Sequence, residues 1–238
     1  MDTLTTFFTA LTTFFQTLPE NLAYLLDYTA KLMPQVIEGL GVTLQLFGLT
    51  LLFSIPLGIV IALGRVSRFK ILNKITSCYI LILRGTPLLL QIVFVFFGLP
   101  LIGITFDRLP AALVAFSLNY AAYFAEIFRS GIASIDKGQY EGAEVLGLSS
   151  METFFRIIFP QAIKRVLPPV GNEVVTLVKD TALVYILGLD ELLKVGKIAC
   201  NRDASLLPLV IIAVVYLLLT GVLSKIMTIL EKKYAYYQ

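Results

Sequence analysis

Histidine is absent from this sequence, cysteine occurs only twice, and charged residues fill just 15% of its 238 positions. Without histidine there is no imidazole base, no Ser-His nucleophile pair and not the commonest metal ligand. The charged fraction lies far below the roughly 25% of soluble proteins. A formal net charge of +3 is too small to point to nucleic acid. No G-x-x-x-x-G-K-[ST] loop is present, nor a soluble stretch large enough to carry one. Any ATP that drives this protein is therefore hydrolysed by another polypeptide, and no cofactor is expected in this chain. Paired intramembrane aspartates at a catalytic spacing are missing too, so an intramembrane enzyme ranks far behind other readings.

What is there is apolar. Hydrophobic residues make up 58% of the chain, and runs near 20 residues recur, enough to cross a hydrocarbon core of roughly 30 Å as helices. The reading is an all-α integral membrane protein of about five spans: Ile37–Leu63, Ile75–Leu99, Leu109–Ala133, Lys164–Leu187 and Ser205–Leu230. Cys78 and Cys200 fall in segments on opposite sides of the membrane, so no disulfide is expected between them. Residues 1–33 form a separate N-terminal segment. Its opening Met1-Asp2 and the lack of a basic residue before Lys31 do not read as a secretory signal. Phe7, Leu11, Phe14, Phe15 and Leu18 follow helical spacing with threonines mostly opposite, as in a helix lying on the membrane. An extra span is the rival reading, against which Pro19, Glu20, Asn21 and Asp27 interrupt the run.

Orientation follows from the basic residues. Arg65, Arg68, Lys70, Lys74 and Arg84 lie between or at the start of the first two spans. Arg129, Lys137, Arg156, Lys164 and Arg165 surround the connection after the third span, and Lys225, Lys232 and Lys233 close the chain. These 13 of the 19 basic residues share one side, which the positive-inside rule assigns to the cytoplasm. The N-terminus then lies outside, and the C-terminus, with a short tail over 234–238, lies in the cytoplasm.

The connection over 136–160 is the least expected stretch in so apolar a chain. Glu141-Gly142-Ala143-Glu144-Val145-Leu146-Gly147 runs on to Phe154 through Pro160. Glu141, Glu144 and Leu148 fall on one helical stripe, while Ala143 and Gly147 open a small-residue face. Pro160 is expected to end the segment just before a new helix. The pattern resembles the EAA loop of ABC importer permeases (E-A-A, three residues, Gly, nine residues, I-x-L-P). Glu141, Ala143, Gly147, Ile157 and Pro160 match, Gly142 replaces the second family residue and Phe159 the Leu. A second segment, Arg84-Gly85-Thr86-Pro87-Leu88-Leu89-Leu90-Gln91, is similar to the R-G-T-P segment of the polar amino-acid branch. Pro87 and Gly85 predict a bend there; equally, the motif can cap the second span at the surface.

The resemblance covers most of residues 34–233 and implies the type I ABC importer permease fold in the cell membrane, as a multi-pass chain. It implies a cytoplasmic helix carrying Glu141, Gly142, Ala143, Glu144 and Gly147, with Ile157 and Pro160 behind it. This helix docks on an ABC ATPase subunit that binds ATP and Mg; Ala143 is small to seat in the partner's groove and Gly147 sits at the turn. Further partners are a second permease subunit (a copy or a related chain) and an extracytoplasmic substrate-binding protein, met by an outer loop of Asp190, Glu191, Lys194, Lys197, Arg202 and Asp203. A merely solvated outer loop is the bland alternative.

The ionisable residues of the third and fourth spans need a wet cavity or a partner. Glu173 lies about 13 Å into span four at ~1.5 Å per residue, close to mid-depth. Glu173, Thr176 and Asp180 share one face there; Asn119, Tyr123 and Glu126 share one on span three. An amino-acid substrate needs acceptors for its ammonium and donors for its carboxylate. Glu173, with Asn172 and Thr176, is the candidate for the cationic end. Thr86, Gln91 or backbone donors near the span-four prolines are candidates for the carboxylate. The competing role for Glu173 is an ion pair with Lys179 or Arg84. The resemblance implies a cationic substrate, since members of that family that carry one often show Asn-Glu at this place; this leans the reading toward arginine, lysine or histidine, with glutamine, glutamate or cystine as alternatives. A stand-alone ion-coupled transporter using Glu173 and Asp180 is the rival class, and it has no need of the 136–160 loop.

Overall fold

The computed structural model describes residues 2–234, with side chains described from residue 22 onward. No strand occurs among the described residues. Helix α1 runs unbroken from Asp2 to Arg65, so neither Pro19 nor the 33/34 boundary interrupts the backbone. The amphipathic face expected over residues 3–18 lies outside the described side chains. Beyond α1 come α2 (Lys70–Gly85) and α3 (Leu88–Val93), the latter continued by a π turn (Phe94–Gly98) and a 3₁₀ turn (Leu99–Ile102). Helix α4 covers Arg108–Ala133 and α5 Lys137–Val145. A short α6 (Ser150–Glu152) passes through a second π turn (Thr153–Ile158) into α7 (Phe159–Asp180), which ends in a 3₁₀ stretch, Thr181–Leu187. Helices α8 (Leu192–Asp203) and α9 (Leu207–Tyr234) complete the chain.

Three of these elements are long and apolar enough to cross a membrane: the Leu22–Arg65 part of α1, α4 and α9. The second expected span, Ile75–Leu99, is instead two helices, Lys70–Gly85 and Leu88–Ile102, bent by 104°. The cause is local. Pro87 has no N–H to continue the ladder, and the residue before a proline is pushed out of the helical region. Thr86 accordingly sits at φ −118°, ψ 146°. The expected fourth span falls on α7 and its 3₁₀ extension, which are too polar to count among the apolar helices, with Pro168 and Pro169 inside.

Without water to drive helices together, membrane helices associate by close packing of small residues. Helix α4 does this best: Ala111, Ala112, Ala115, Ala121, Ala122 and Ala125 are all buried, and 61% of its apolar window is covered against 11% for α9. It is therefore the central post and α9 a peripheral one. Gly58 of α1 meets it so closely that a Cβ there would stand 2.8 Å from the Phe124 Cβ. Phe116, Tyr120 and Phe124 extend along the same helix into a core shared with Leu46, Ile92 and Leu177. This core holds α3 and α7 around the cavity described next, while α2 packs on α4 through Ile80 against Ala121, Ala122 and Ala125.

Candidate functional site: a charged cavity and the 136–160 loop

Between the broken second span, α4 and α7 lies a cavity of about 640 Å³. Its walls include Arg84 and Thr86 from the break, Asn119, Tyr120 and Tyr123 from α4, and Glu173, Thr176 and Asp180 from α7. The helical spacings noted in the sequence put these groups on facing surfaces. Asn172 is the exception: it is exposed and does not line the cavity, because it points one helical step away from Glu173. Gln91 stands behind the wall rather than in it.

Each polar group has a definite task. Pro87 cannot donate to the carbonyl four residues back, that of Leu83. The Gln91 amide donates to that carbonyl at 2.9 Å, and the Asn119 amide does the same at 2.9 Å. Gln91 Nε2 also reaches Thr86 Oγ1 at 2.8 Å, Asn119 Nδ2 reaches Gln91 Oε1 at 3.0 Å, and the Thr86 hydroxyl donates to Ile82 O at 2.8 Å. Gln91 and Thr86, expected to meet a substrate carboxylate, are thus engaged in closing the helix break. The donor aimed at the cavity is Arg84, whose guanidinium carbon lies 5.0 Å from the Tyr123 ring centroid, a cation–π distance. Sequence reasoning had placed Arg84 with the cytoplasmic charges; its position inside an apolar run was the available signal. Tyr120, also missed, donates to Asp180 Oδ2 at 2.8 Å. Glu173 is half-buried, and neither Arg84 nor Lys179 forms an ion pair with it among the described residues.

One turn below, Glu126 and Arg129 form an ion pair, with Arg129 Nε 2.9 Å from Glu126 Oε2. The chain then enters the 136–160 segment. Asp136 caps α5 by accepting from Gly138 N at 2.6 Å. The helix closes on a 6→1 bond from Leu148 N to Ala143 O (3.0 Å) and a 5→2 bond from Gly147 N to Glu144 O (2.9 Å). Gly147 stands at φ +74°, the left-handed position such an ending requires. It is at the turn, as its sequence position implied. Ala143 is the buried residue of α5, only 1% exposed, so its small size is already used within this chain, where α5 packs on the second π turn.

Ser149 and Glu152 form a capping box, which with Arg156 nearby holds the exposed Glu152 carboxyl below the usual carboxylate range. The Ser149 backbone bond is its largest cause. Pro160 does not end the segment: it lies in the first turn of α7, where the wider π turn before it, closed by Phe159 N to Phe154 O, accommodates a residue without a donor. Ile157 is half-buried beneath the loop. Glu141, Gly142 and Glu144 are exposed, beside an apolar patch that sequence reasoning missed: Val145 (88%), Leu146 (77%) and Met151 (69%). Among the described residues nothing apolar covers these three.

Known proteins match this arrangement. The family of binding-protein-dependent transport system inner membrane components matches residues 54–236. The probable amino-acid ABC transporter permease protein YckA of Bacillus subtilis (strain 168) is 40% identical over 205 residues, covering 86% of this chain and 91% of that one. The arginine transport system permease protein ArtQ of the same organism is 39% identical over 212 residues, 87% and 97% of the two chains. Permeases named for glutamine and L-cystine transport also match, at 35% identity. A crystal structure of an amino acid ABC transporter with histidines superposes with a TM-score of 0.82 at 35% identity, over 87% of this chain and 97% of that one. The chain therefore belongs to the binding-protein-dependent inner membrane components, as a permease of the amino-acid ABC transporter type with the type I importer fold.

Proposed function

We propose that this chain, paired with a second permease subunit, forms the translocation path for a cationic amino acid and is driven by a separate ATPase that binds ATP and Mg. The observation that carries the substrate reading is the pairing of Arg84 with an uncommitted Glu173 across one cavity. Arg84 supplies a donor for the substrate carboxylate and Glu173 an acceptor for an ammonium or guanidinium. Thr176 adds a hydroxyl to the same wall. Asp180 supplies a second acidic group, which is why arginine, lysine and histidine fit better than a neutral side chain.

Transport requires the cavity to open to each side in turn. The break at Thr86-Pro87 divides the second span into two rigid halves, and α7 carries the opposite wall directly down to the second π turn. A push on α5 therefore reaches Glu173 along a continuous helical rod. Glu141 and Glu144 meet basic or backbone donors of the ATPase, and Val145, Leu146 and Met151 fill its apolar groove. The extracytoplasmic binding protein delivers substrate at the side of α8.

Equilibrium binding of radiolabelled arginine, glutamine and cystine to the assembled transporter tests the substrate reading, with Glu173→Gln as the decisive variant. Arginine binding that weakens at least tenfold (about 1.4 kcal/mol) in the variant supports it. Unchanged arginine uptake by a normally inserted Glu173→Gln protein refutes it. One observation favours a glutamine-type substrate instead: Tyr120 already occupies Asp180, leaving a single free carboxylate for a zwitterion. Glutamine outcompeting arginine in the same assay decides for that reading.

A further inference from the structure

Helix α8 begins on a carboxylate that no solvent reaches. Glu191, expected on a mixed-charge outer surface, is 0% exposed. Its two oxygens accept from Leu193 N and Lys194 N at 2.7 Å each, capping the helix. The same carboxylate accepts from the Tyr216 hydroxyl of α9 at 3.1 Å. Beside it, Leu192 N donates to Thr43 Oγ1 of α1 at 3.4 Å. Thr43 and Thr181 are both fully buried, and their hydroxyls also neighbour that of Tyr216. Room for this knot is made at Gly39, where a Cβ would lie 3.2 Å from the Glu191 carbonyl carbon and 2.9 Å from Val195 Cγ2.

A helix cap alone does not call for such burial, because a surface Ser or Asp caps as well without losing its hydration. The knot has a second property. Thr181 follows Asp180 directly in the chain, and Asp180 is the cavity residue gripped by Tyr120. A chain of neighbours therefore runs from the N-terminus of α8 through Glu191 and Tyr216 to Thr181, and from Thr181 along the backbone to Asp180 in the cavity wall. Gly188, between them, is held from both sides: its carbonyl accepts from Lys194 Nζ of α8 at 2.6 Å and from Arg108 Nη1 of α4 at 3.3 Å.

We infer that Glu191 and Tyr216 are positioning residues that tie the orientation of α8 to Asp180, so that a binding protein pressing on α8 resets the substrate cavity. This rests on the proposed function in one respect, that the binding protein docks on the α8 side. Load on α8 moves its cap, the cap moves Tyr216, and the Thr181–Leu187 stretch carries the shift to the cavity.

The test uses the full transporter in lipid nanodiscs with its binding protein. Basal ATPase activity, stimulation by substrate-loaded binding protein, and thermal midpoint are measured for the wild type, Tyr216→Phe and Glu191→Gln. Tyr216→Phe keeps the ring and removes only the link; Glu191→Gln keeps an acceptor for the cap. The expected result is basal activity within about twofold of wild type and stimulation reduced about fivefold or more in Tyr216→Phe, with Glu191→Gln intermediate. Stimulation of Tyr216→Phe equal to wild type overturns the inference and leaves the permease reading standing. Basal and stimulated rates falling together with the thermal midpoint also overturn it, since that is a packing role only. A wild-type assembly that no binding protein stimulates removes the permease reading on which the inference rests.

Discussion

Gln91 and Arg84 exchange the roles that residue type alone assigns them. An amide in a polar motif invites a ligand contact, yet Gln91 is used up by the carbonyl that Pro87 leaves without a donor. Replacing it by Leu leaves Leu83 O with Asn119 alone and is expected to cost about 1–3 kcal/mol, read as a lower thermal midpoint in detergent. Arg84→Ala removes the cavity's guanidinium; substrate affinity is expected to fall by at least tenfold (about 1.4 kcal/mol) with the midpoint unchanged, which separates a binding role from a structural one. Gly58→Ala inserts a methyl where the Phe124 Cβ leaves 2.8 Å. The expected penalty is about 1–3 kcal/mol from overpacking α1 against α4, measured by the same melt. Glu173, Thr176 and Asp180 were legible because their i, i+3, i+7 spacing is geometry written in sequence. Gln91 and Asn172 were not, since which amide is spent and which step of a helix faces a cavity depend on neighbours far along the chain.

At the scale of single elements, the break at Pro87 has a chemical cause and a direct test. Pro87→Ala returns an N–H to Leu83 O, and the two halves are expected to approach one straight helix. Spin labels at Ile75 and Phe97 would move apart, and transport would fail while ATPase assembly remained. The α6 cap behaves differently. The Glu152 carboxyl is held below its usual value by Ser149, so it stabilises the cap above the unfolded pKa of about 4.3. That support is lost as pH falls through the lower folded value. The protection factor (intrinsic over observed exchange rate at each pH) of the Thr153 amide, whose N–H bonds Ser149 O, should fall over that acid window and stay flat near neutrality; Glu152→Gln should remove the dependence. The second span was readable as helical from its apolar run, whereas α6 was not read as a helix. The bend itself was announced by Gly85 and Pro87, though not its size of 104°; the two π turns were not, because they alter hydrogen bonding without altering hydropathy.

For the whole molecule, the charge asymmetry predicts that the 136–160 loop faces the cytoplasm, and the exposed Val145-Leu146 pair gives this a test. Cysteines placed at Val145 or Leu146 are expected to cross-link to the nucleotide-hydrolysing subunit and to react with thiol reagents only from the cytoplasmic side. Labelling from outside would reverse the topology. The general architecture could be read in advance since an apolar chain of this length, short of charges and lacking an ATP loop, leaves few alternatives. The burial of Glu191 could not, because a carboxylate among Asp190, Lys194 and Lys197 reads as surface until three helices close over it.

The π turn over Thr153–Ile158 lies between α5 and α7. A π turn holds one residue more than the regular helix it interrupts, so removing Phe155 should let the stretch relax to ordinary α-helix with its two flanks kept in phase. Inserting one residue in the regular helix just after Pro160 should instead rotate everything N-terminal to it by about 100° relative to the rest of α7, with a shift of roughly 1.5 Å. The acidic and apolar faces of α5 would then point elsewhere while every residue on them remained intact. Under the proposed function such an insertion should uncouple hydrolysis from movement where the Phe155 deletion does not, and a compensating deletion one turn further along should restore coupling.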